Sequence, residues 1–351
     1  MSDWKPEAFA CPLPVMEHET IQLAHGSGGC LSAALVEQLF LPRFGNEILN
    51  RLEDQAILEA GSGRLALSTD SFVVDPLFFP GGDIGDLAVN GTVNDVCMCG
   101  ATPLCLCAAF IIEEGLAMAT LHRVLVSMER AAAAAGVRVV TGDTKVVNRG
   151  SCDKLFITTT GLGRVPDNLH ISAANLQPGD KIILSGTLAD HGMAVLTSRE
   201  GLSFQSSPAS DTAALNGLVA AMLASGGRIH AMRDPTRGGL AATLNELARA
   251  SQKGIVLDER AIPVRPSVRA ACEILGIDPL YVANEGKLVA AVPALDAVAV
   301  LAAMRSHPLG REAALIGEVT AAEPGLVSLR TLLGVRRTVD MPLGEQLPRI
   351  C

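Results

Sequence analysis

Apolar strand-like runs alternate with Ala/Leu-rich helical stretches along almost the whole chain, in two successive series. Repeated switching between these two patterns forces helices to cover sheets, the arrangement of an α/β protein. In the first series "RLALSTDSFVV" at 64–74 reads as a strand broken by a polar turn, and "PLCLCAAFII" at 103–112 as another. "ATLHRVLVSMERAAAAAG" at 119–136 reads as a helix stopped by Gly136, and "VRVVTGDTKVV" and "LFITTTGLG" follow as strands. The turn-rich stretch "RVPDNLHISAANLQPGD" at 164–180 then leads into "KIILSGTLADHGMAVL" and a second series. That series predicts helices near 211–225, 267–275 and 295–305, and a helix opened by "DPTRGGL". Strands are expected at 254–258, through "GKLVAAV" and near the end. The chain therefore divides into a looser segment at 1–44, an α/β domain at 45–166, a second at 167–340 and a tail at 341–351. Pro342, Gly344 and Pro348 keep that tail out of continuous helix or strand, so it is expected to be flexible.

Hydrophobic residues make up 49% of the chain but aromatics only 3%, so the interior is built from Ala, Val, Leu and Ile. The most apolar window, 288–304, contains Pro293 and Asp296 and falls short of the ~18–20 uninterrupted residues of a membrane span. The first twenty residues carry acids and prolines without an apolar core, so no secretory leader is expected and the cytoplasm is the default. Nine cysteines, an odd number, fit reduced thiols better than a disulfide framework. A net charge of −9 argues against nucleic acid and anionic membrane as partners. It leaves phosphates open, because backbone N–H groups and metal ions can hold them.

Asp54, Asp70, Asp83, Asp86, Asp95 and Asp143 each sit among small or polar neighbours at the end of an apolar run. Each alone reads as a turn former or helix cap. Several at sheet edges repel one another unless a cation lies between them, and hard oxygen ligands suit Mg²⁺ beside substrate phosphates. "HGSGG" at 25–29 supplies a glycine loop that could cradle phosphates, although no Gly-Lys-Ser/Thr follows it. "DPTRGG" at 234–239 reads as Asp234 capping a helix with Pro235 at its first position, and Arg237 there could face an anion. The four cysteines of "CMCGATPLCLC" at 97–107 form C-x-C pairs, which suit apolar packing better than zinc. Lys145 and Glu285 stand among apolar residues, where each is a surface ion-pair member or a proton acceptor of shifted affinity. The chain ends on Cys351, either a frayed end or a nucleophile that carries a group.

Taken together, "HGSGG", "TDSFVV", "GGDIGDLAVNGTVNDVCMCGATP", "GDTKVV", "DPTRGGL", "NEGK" and the terminal "PRIC" resemble the HypE family of hydrogenase-maturation carbamoyl dehydratases from about residue 20 onward. That family sits in the ATP-binding superfamily of aminoimidazole ribonucleotide synthetase, selenophosphate synthetase and thiamine-phosphate kinase. The resemblance implies a two-domain fold of that type and a homodimer paired through its N-terminal sheets, with ATP and Mg²⁺ in clefts near the interface. It implies that HypF loads a carbamoyl group onto the terminal cysteine, that ATP drives its dehydration to a thiocyanate, and that the HypC–HypD scaffold receives the cyano group. Carried over residue by residue, it assigns Asp54, Asp70, Asp95, Asp143 and Asp234 to metal and phosphate. His25, Gly26, Gly28, Gly29, Asp83, Asn94 and Arg237 fall to the nucleotide, and Cys351, Lys145 and Glu285 to catalysis. A small-molecule kinase or synthetase of the same superfamily, and a non-catalytic thiol or metal scaffold, remain the alternatives.

Overall fold

The computed structural model describes residues 29–41, 46–59, 61, 63–202, 207–342 and 349–351. His25, Gly26, Gly28 and most of the 1–44 segment lie outside them. The first domain carries strands β1 (Ala56–Glu59), β2 (Arg64–Phe72), β3 (Phe78–Phe79), β4 (Gly82–Asp83), β5 (Thr102–Glu113), β6 (Val139–Val147) and β7 (Leu155–Val165). Five of them form one sheet in the order β1-β2-β7-β5-β6, antiparallel except for the β5–β6 pair, while β3 and β4 form a small hairpin. Helix α1 (Cys30–Leu35) precedes them, and α2 (Ile84–Cys97) and α3 (Met118–Ala135) pack on each other and cover one face of the sheet. As expected, Gly136 closes α3 at φ 71°.

The second domain runs β8 (Lys181–Leu184), α4 (Asp190–Arg199), α5 (Asn216–Ala224), β9 (Ala231–Arg233), α6 (Gly239–Ser251), β10 (Gly254–Asp258), α7 (Pro266–Leu275), β11 (Val289–Val292), α8 (Ala297–Ser306), β12 (Ala314–Thr320), β13 (Val327–Arg330) and β14 (Arg336–Thr338). Its sheet order is β14-β13-β10-β12-β8-β11-β9, with only the β10–β13 pair parallel, so both sheets are mixed. No helix among the described residues is long and apolar enough to cross a membrane.

Helix α2 joins the two domains. Asp83 caps it, accepting from the amides of Gly85 at 2.7 Å and Asp86 at 3.2 Å and from the Ser127 hydroxyl at 2.5 Å. Nearly every side chain of α2 is buried, because the sheet and α3 take one side and the second domain takes another. One apolar core accordingly runs from Phe72, Leu87 and Leu106 through Leu215 and Met232 to Leu288 and Val300. A separate core fills the far side of the second sheet.

Two expectations need correcting. The helix predicted over 211–225 begins at Asn216, since buried Asp211 is engaged by the Glu285 amide at 3.1 Å and Lys287 Nζ at 2.9 Å. "DPTRGG" does not open its helix at Asp234; α6 starts at Gly239, after a turn in which Gly238 and Gly239 have φ of 77° and 62°. A Cβ on Gly239 would stand 2.6 Å from the Leu280 carbonyl oxygen, so only glycine lets this turn lie against that loop. Asp234 is thereby left uncommitted to a cap.

Gly239→Ala is expected to cost more than about 2 kcal/mol in urea unfolding, combining left-handed strain with a backbone collision. Gly136→Ala, at similar φ with open space around it, should cost about 1 kcal/mol. Equal losses would show that the close approach to Leu280 contributes nothing.

Candidate active site

The cleft between the domains collects carboxylates from five places in the sequence. Asp54 comes from the turn before β1, Asp70 from β2, Asp95 from the last turn of α2, Asp234 from the β9–α6 turn and Glu285 from the loop before β11. Asp70, Asp95, Asp234, Arg237, Glu285 and Cys351 line a narrow cavity of about 30 Å³. Ser68 donates to Asp95 Oδ2 at 2.6 Å and Thr92 to Asp70 Oδ2 at 3.2 Å. One oxygen each of Asp54, Asp234 and Glu285 is buried without a hydrogen-bond partner.

Burial and mutual repulsion make these acids hold their protons. Burial pushes Asp54 up to about 7 against the opposing pull of Arg233. Asp95 is pushed well above the usual carboxylate range by burial and then by Asp70, Asp234 and Asp54. Asp234 and Glu285 rise for the same first reason and then through their acidic neighbours. Orphaned oxygens and crowded negative charge are what a cation or a proton-transfer site requires. Among the described residues no three such side chains converge at metal-ligating spacing, so an ion here would complete its shell with water or substrate oxygens, as Mg²⁺ does.

The chain's end lies inside this cleft. Val73 N–H donates to the Cys351 oxygen at 3.2 Å and Asp75 N–H to the Arg349 oxygen at 3.2 Å, while Ile350 is buried in the shared core. The thiol lies within hydrogen-bonding reach of Glu285; burial, then the Glu285 charge, push its pKa far up against the pull of Arg237. A docked free thiol is therefore protonated and a poor nucleophile.

Other expected site residues lie elsewhere or are already engaged. Asp143 and Lys145 are exposed on β6, the edge of the first sheet, in register with Ala109 and Ile111 on the face opposite the helices. Asp83 serves as the α2 cap. Asn94 is fully buried: it donates to the oxygens of Ala213 at 3.1 Å and Glu285 at 3.0 Å and accepts from the Leu215 amide at 2.8 Å, so it fastens α2 to the second domain. Gly29 sits against Pro342, whose oxygen accepts from Cys30 N–H at 2.7 Å. Cys97 ends α2 and Cys99 follows it, both buried, whereas Cys105 and Cys107 lie half-buried on β5. Burial pushes the thiols of Cys97 and Cys99 up, to about 11 for Cys99.

Arg233 was not singled out from the sequence. It donates to Glu246 and to the Leu52 oxygen, and its Nε lies 3.4 Å from Asp54 Oδ1. Glu53 meanwhile accepts from the Ser172 hydroxyl and from the Ala173 amide at 3.2 Å. The second domain thus holds the turn that aims Asp54 into the cleft. The only local signal was an arginine directly before "DPTRGG", and nothing nearby names its partner 180 residues away.

The family model for AIR synthase related protein, N-terminal domain, matches residues 52–165, and that for the C-terminal domain matches 177–328. The chain is 57% identical over 336 residues to the carbamoyl dehydratase HypE of Azotobacter vinelandii, covering 96% of this chain and 98% of that one. A crystal structure of a HypE–HypF complex superimposes with a TM-score of 0.84 at 48% identity, over 88% of this chain and 100% of that one. A crystal structure of HypE in complex with ATP does so with a TM-score of 0.80 at 52% identity, over 95% and 100%.

The raised acids set a direction for pH dependence. Between 3.8 and about 7 the folded chain binds more protons at Asp54 than the unfolded chain does, so this contribution to stability is largest at the acid end and falls as pH rises. In metal-free protein, Asp95→Asn is expected to raise stability at pH 8 by on the order of 1–3 kcal/mol and to change it little at pH 5. Equal melting curves at pH 8 would contradict the crowding of charge.

Proposed function

The chain belongs to the HypE carbamoyl dehydratases within the AIR synthase related family, and from that premise we infer that it uses ATP to dehydrate a carbamoyl group carried on Cys351, supplying cyanide ligands for [NiFe] hydrogenase iron. The observation that carries this reading is the terminal thiol seated among buried carboxylates between two domains.

An S-carbamoyl oxygen is a poor leaving group. In the first step it attacks the γ-phosphorus of ATP, the bond to ADP breaks and the nitrogen gives up one proton. In the second the C–O bond breaks, phosphate departs and the nitrogen loses its other proton, leaving S–C≡N. One proton ends on phosphate and one in solvent. Glu285 suits the role of acceptor, because one of its oxygens has no partner and burial favours its protonated form. Arg237, beside Cys351 and Asp70, can steady developing phosphate charge. Asp54, Asp70, Asp95 and Asp234 would hold Mg²⁺, which supplies charge neutralisation on the phosphates. The glycine loop with His25, Gly26, Gly28 and Gly29 would cover them.

Asp143 and Lys145 fit this scheme through a second copy. The face of the first sheet opposite its helices, with Leu67, Ile111 and the Thr69–Thr160 pair, is exposed, and β6 is an open edge. Pairing of two such faces in a homodimer would bring these residues against the partner's site. HypF is the donor that loads the thiol, and the HypC–HypD scaffold the acceptor of the cyano group. The thiols of Cys97, Cys99, Cys272 and Cys351, outside any disulfide, accord with a cytoplasmic setting.

Intact-mass spectrometry tests the chemistry. A carbamoyl donor system should add about 43 Da to the C-terminal peptide, and ATP should then remove about 18 Da, since acyl transfer to a thiol and dehydration are successive covalent steps. Cys351→Ala should abolish both while leaving ATP binding within about twofold, because the thiol bears the reacting group and not the nucleotide. An adduct on another cysteine overturns the reading, and turnover of a free substrate by the variant favours a superfamily kinase. Ala109→Arg, in the middle of the exposed sheet face, should convert the dimer to monomer in light scattering with stability changed by less than about 0.5 kcal/mol. A dimer that survives it places the contact elsewhere.

A further inference from the structure

The chain's end is also held through its main chain. His191, buried on α4, lies between two polar partners, with Nδ1 2.8 Å from the Ser210 hydroxyl and Nε2 2.8 Å from the Ile350 carbonyl oxygen. A carbonyl only accepts, so Nε2 carries the proton and donates to it, and in the neutral ring Nδ1 accepts from Ser210. Burial keeps the imidazole neutral. Phe79 stands edge-on against the ring at 5.4 Å and fixes its plane. Two turns further on, Arg199 Nε donates to the Asp75 oxygen at 2.7 Å and its terminal nitrogen to the Arg349 oxygen at 2.7 Å. It thereby spans the two backbone segments that pair as 73–75 with 349–351.

We propose that His191 and Arg199 form a latch that positions Cys351 in the cleft by gripping the main-chain carbonyls of the last residues, independently of what the sulfur carries. The proposal rests on the functional reading above and deepens it. Their hydrogen bonds to the chain's end go to main-chain carbonyls, whereas the thiol interacts with Glu285, Arg237 and Asp70. The same grip therefore fits a free, carbamoylated or cyanated thiol. The latch is also tied to the acid it serves. Ser210, which orients His191, precedes Asp211, whose carboxylate accepts from Glu285 N–H at 3.1 Å and from Lys287 Nζ at 2.9 Å. One short loop thus places both the proton acceptor and the carbonyl of the residue before the thiol. A donor enzyme reaching Cys351 must first break these contacts, since the docked thiol is half-buried in the cleft and held in its protonated form.

The test is N-ethylmaleimide labelling of the full chain, quantified on the C-terminal peptide, with buried Cys272 as the internal reference for unfolding. His191→Leu and Arg199→Met are expected to label Cys351 at least about fivefold faster, the size of one lost hydrogen bond, with Cys272 unchanged. His191→Gln, whose amide can still donate to Ile350, should stay near the unsubstituted rate. Supplied with carbamoyl donor and ATP, the Leu variant should accumulate the carbamoyl adduct instead of the dehydrated one, at unchanged KM for ATP. If His191→Leu also exposes Cys272, Arg199→Met at the cleft rim decides. Unaltered Cys351 labelling in Arg199→Met, or identical behaviour of the Gln and Leu variants, overturns the latch. Labelling needs no chemistry on the thiol. A latch that behaves as expected in a chain that never takes up carbamoyl would leave the latch standing and remove the functional reading.

Discussion

Five acids, two buried and three half-buried, facing one another across a domain boundary are what the rest of the structure has to accommodate. Asp54, Asp70, Asp95, Asp234 and Glu285 disfavour their own charged forms, and Arg233 and Arg237 are the cations set against them. A pKa displaced by one unit is about 1.4 kcal/mol, so several displaced groups are a substantial strain. Apolar packing offsets it. Ile84, Leu87, Leu106, Ile157 and Leu215 are essentially fully buried around α2, and each such side chain contributes about 1.5–3 kcal/mol. Helix α2 accordingly has little polar surface, and its buried Asn94 spends its hydrogen bonds fastening the domains.

The same arrangement bears on how Cys351 fits the cleft. The cavity it enters is narrow and walled by both domains, so a side chain in mid-chain would need backbone on both sides of the cleft. An end needs one. The terminal segment is held by its carbonyls and by Ile350, leaving sulfur chemistry free of the holding contacts. In that docked position burial and the neighbouring Glu285 charge push the thiol pKa up.

Much of the fold was legible locally. Gly136 closed its helix where glycine was expected to, and β5, β6 and β7 fall on the runs that suggested them, whereas β2 continues unbroken through the polar stretch expected to turn and β1 was not anticipated. Of the acids that the family resemblance named, Asp54, Asp70, Asp95, Asp234 and Glu285 meet in the cleft and Asp143 does not. Legibility failed at "DPTRGG", where cap chemistry suggested a helix start; two glycines at positive φ, pressed on the Leu280 carbonyl, delay the helix and free Asp234. It failed again at Arg233, His191 and Arg199, because their partners at 52–54, 210 and 349–350 are distant in sequence and the latch partners are backbone carbonyls, which carry no sequence signature.

The sequence by itself determined the α/β alternation and, through its motifs, the family, because periodicity and side-chain chemistry are local properties. Tertiary structure alone decided which groups meet. It put Glu285 beside Cys351, and it left Asp143 and Lys145 on an uncovered sheet face. It also turned Asp83 and Asn94 into fasteners. Those outcomes depend on how two domains share one core around α2, and burial and proximity are set only when that core has formed.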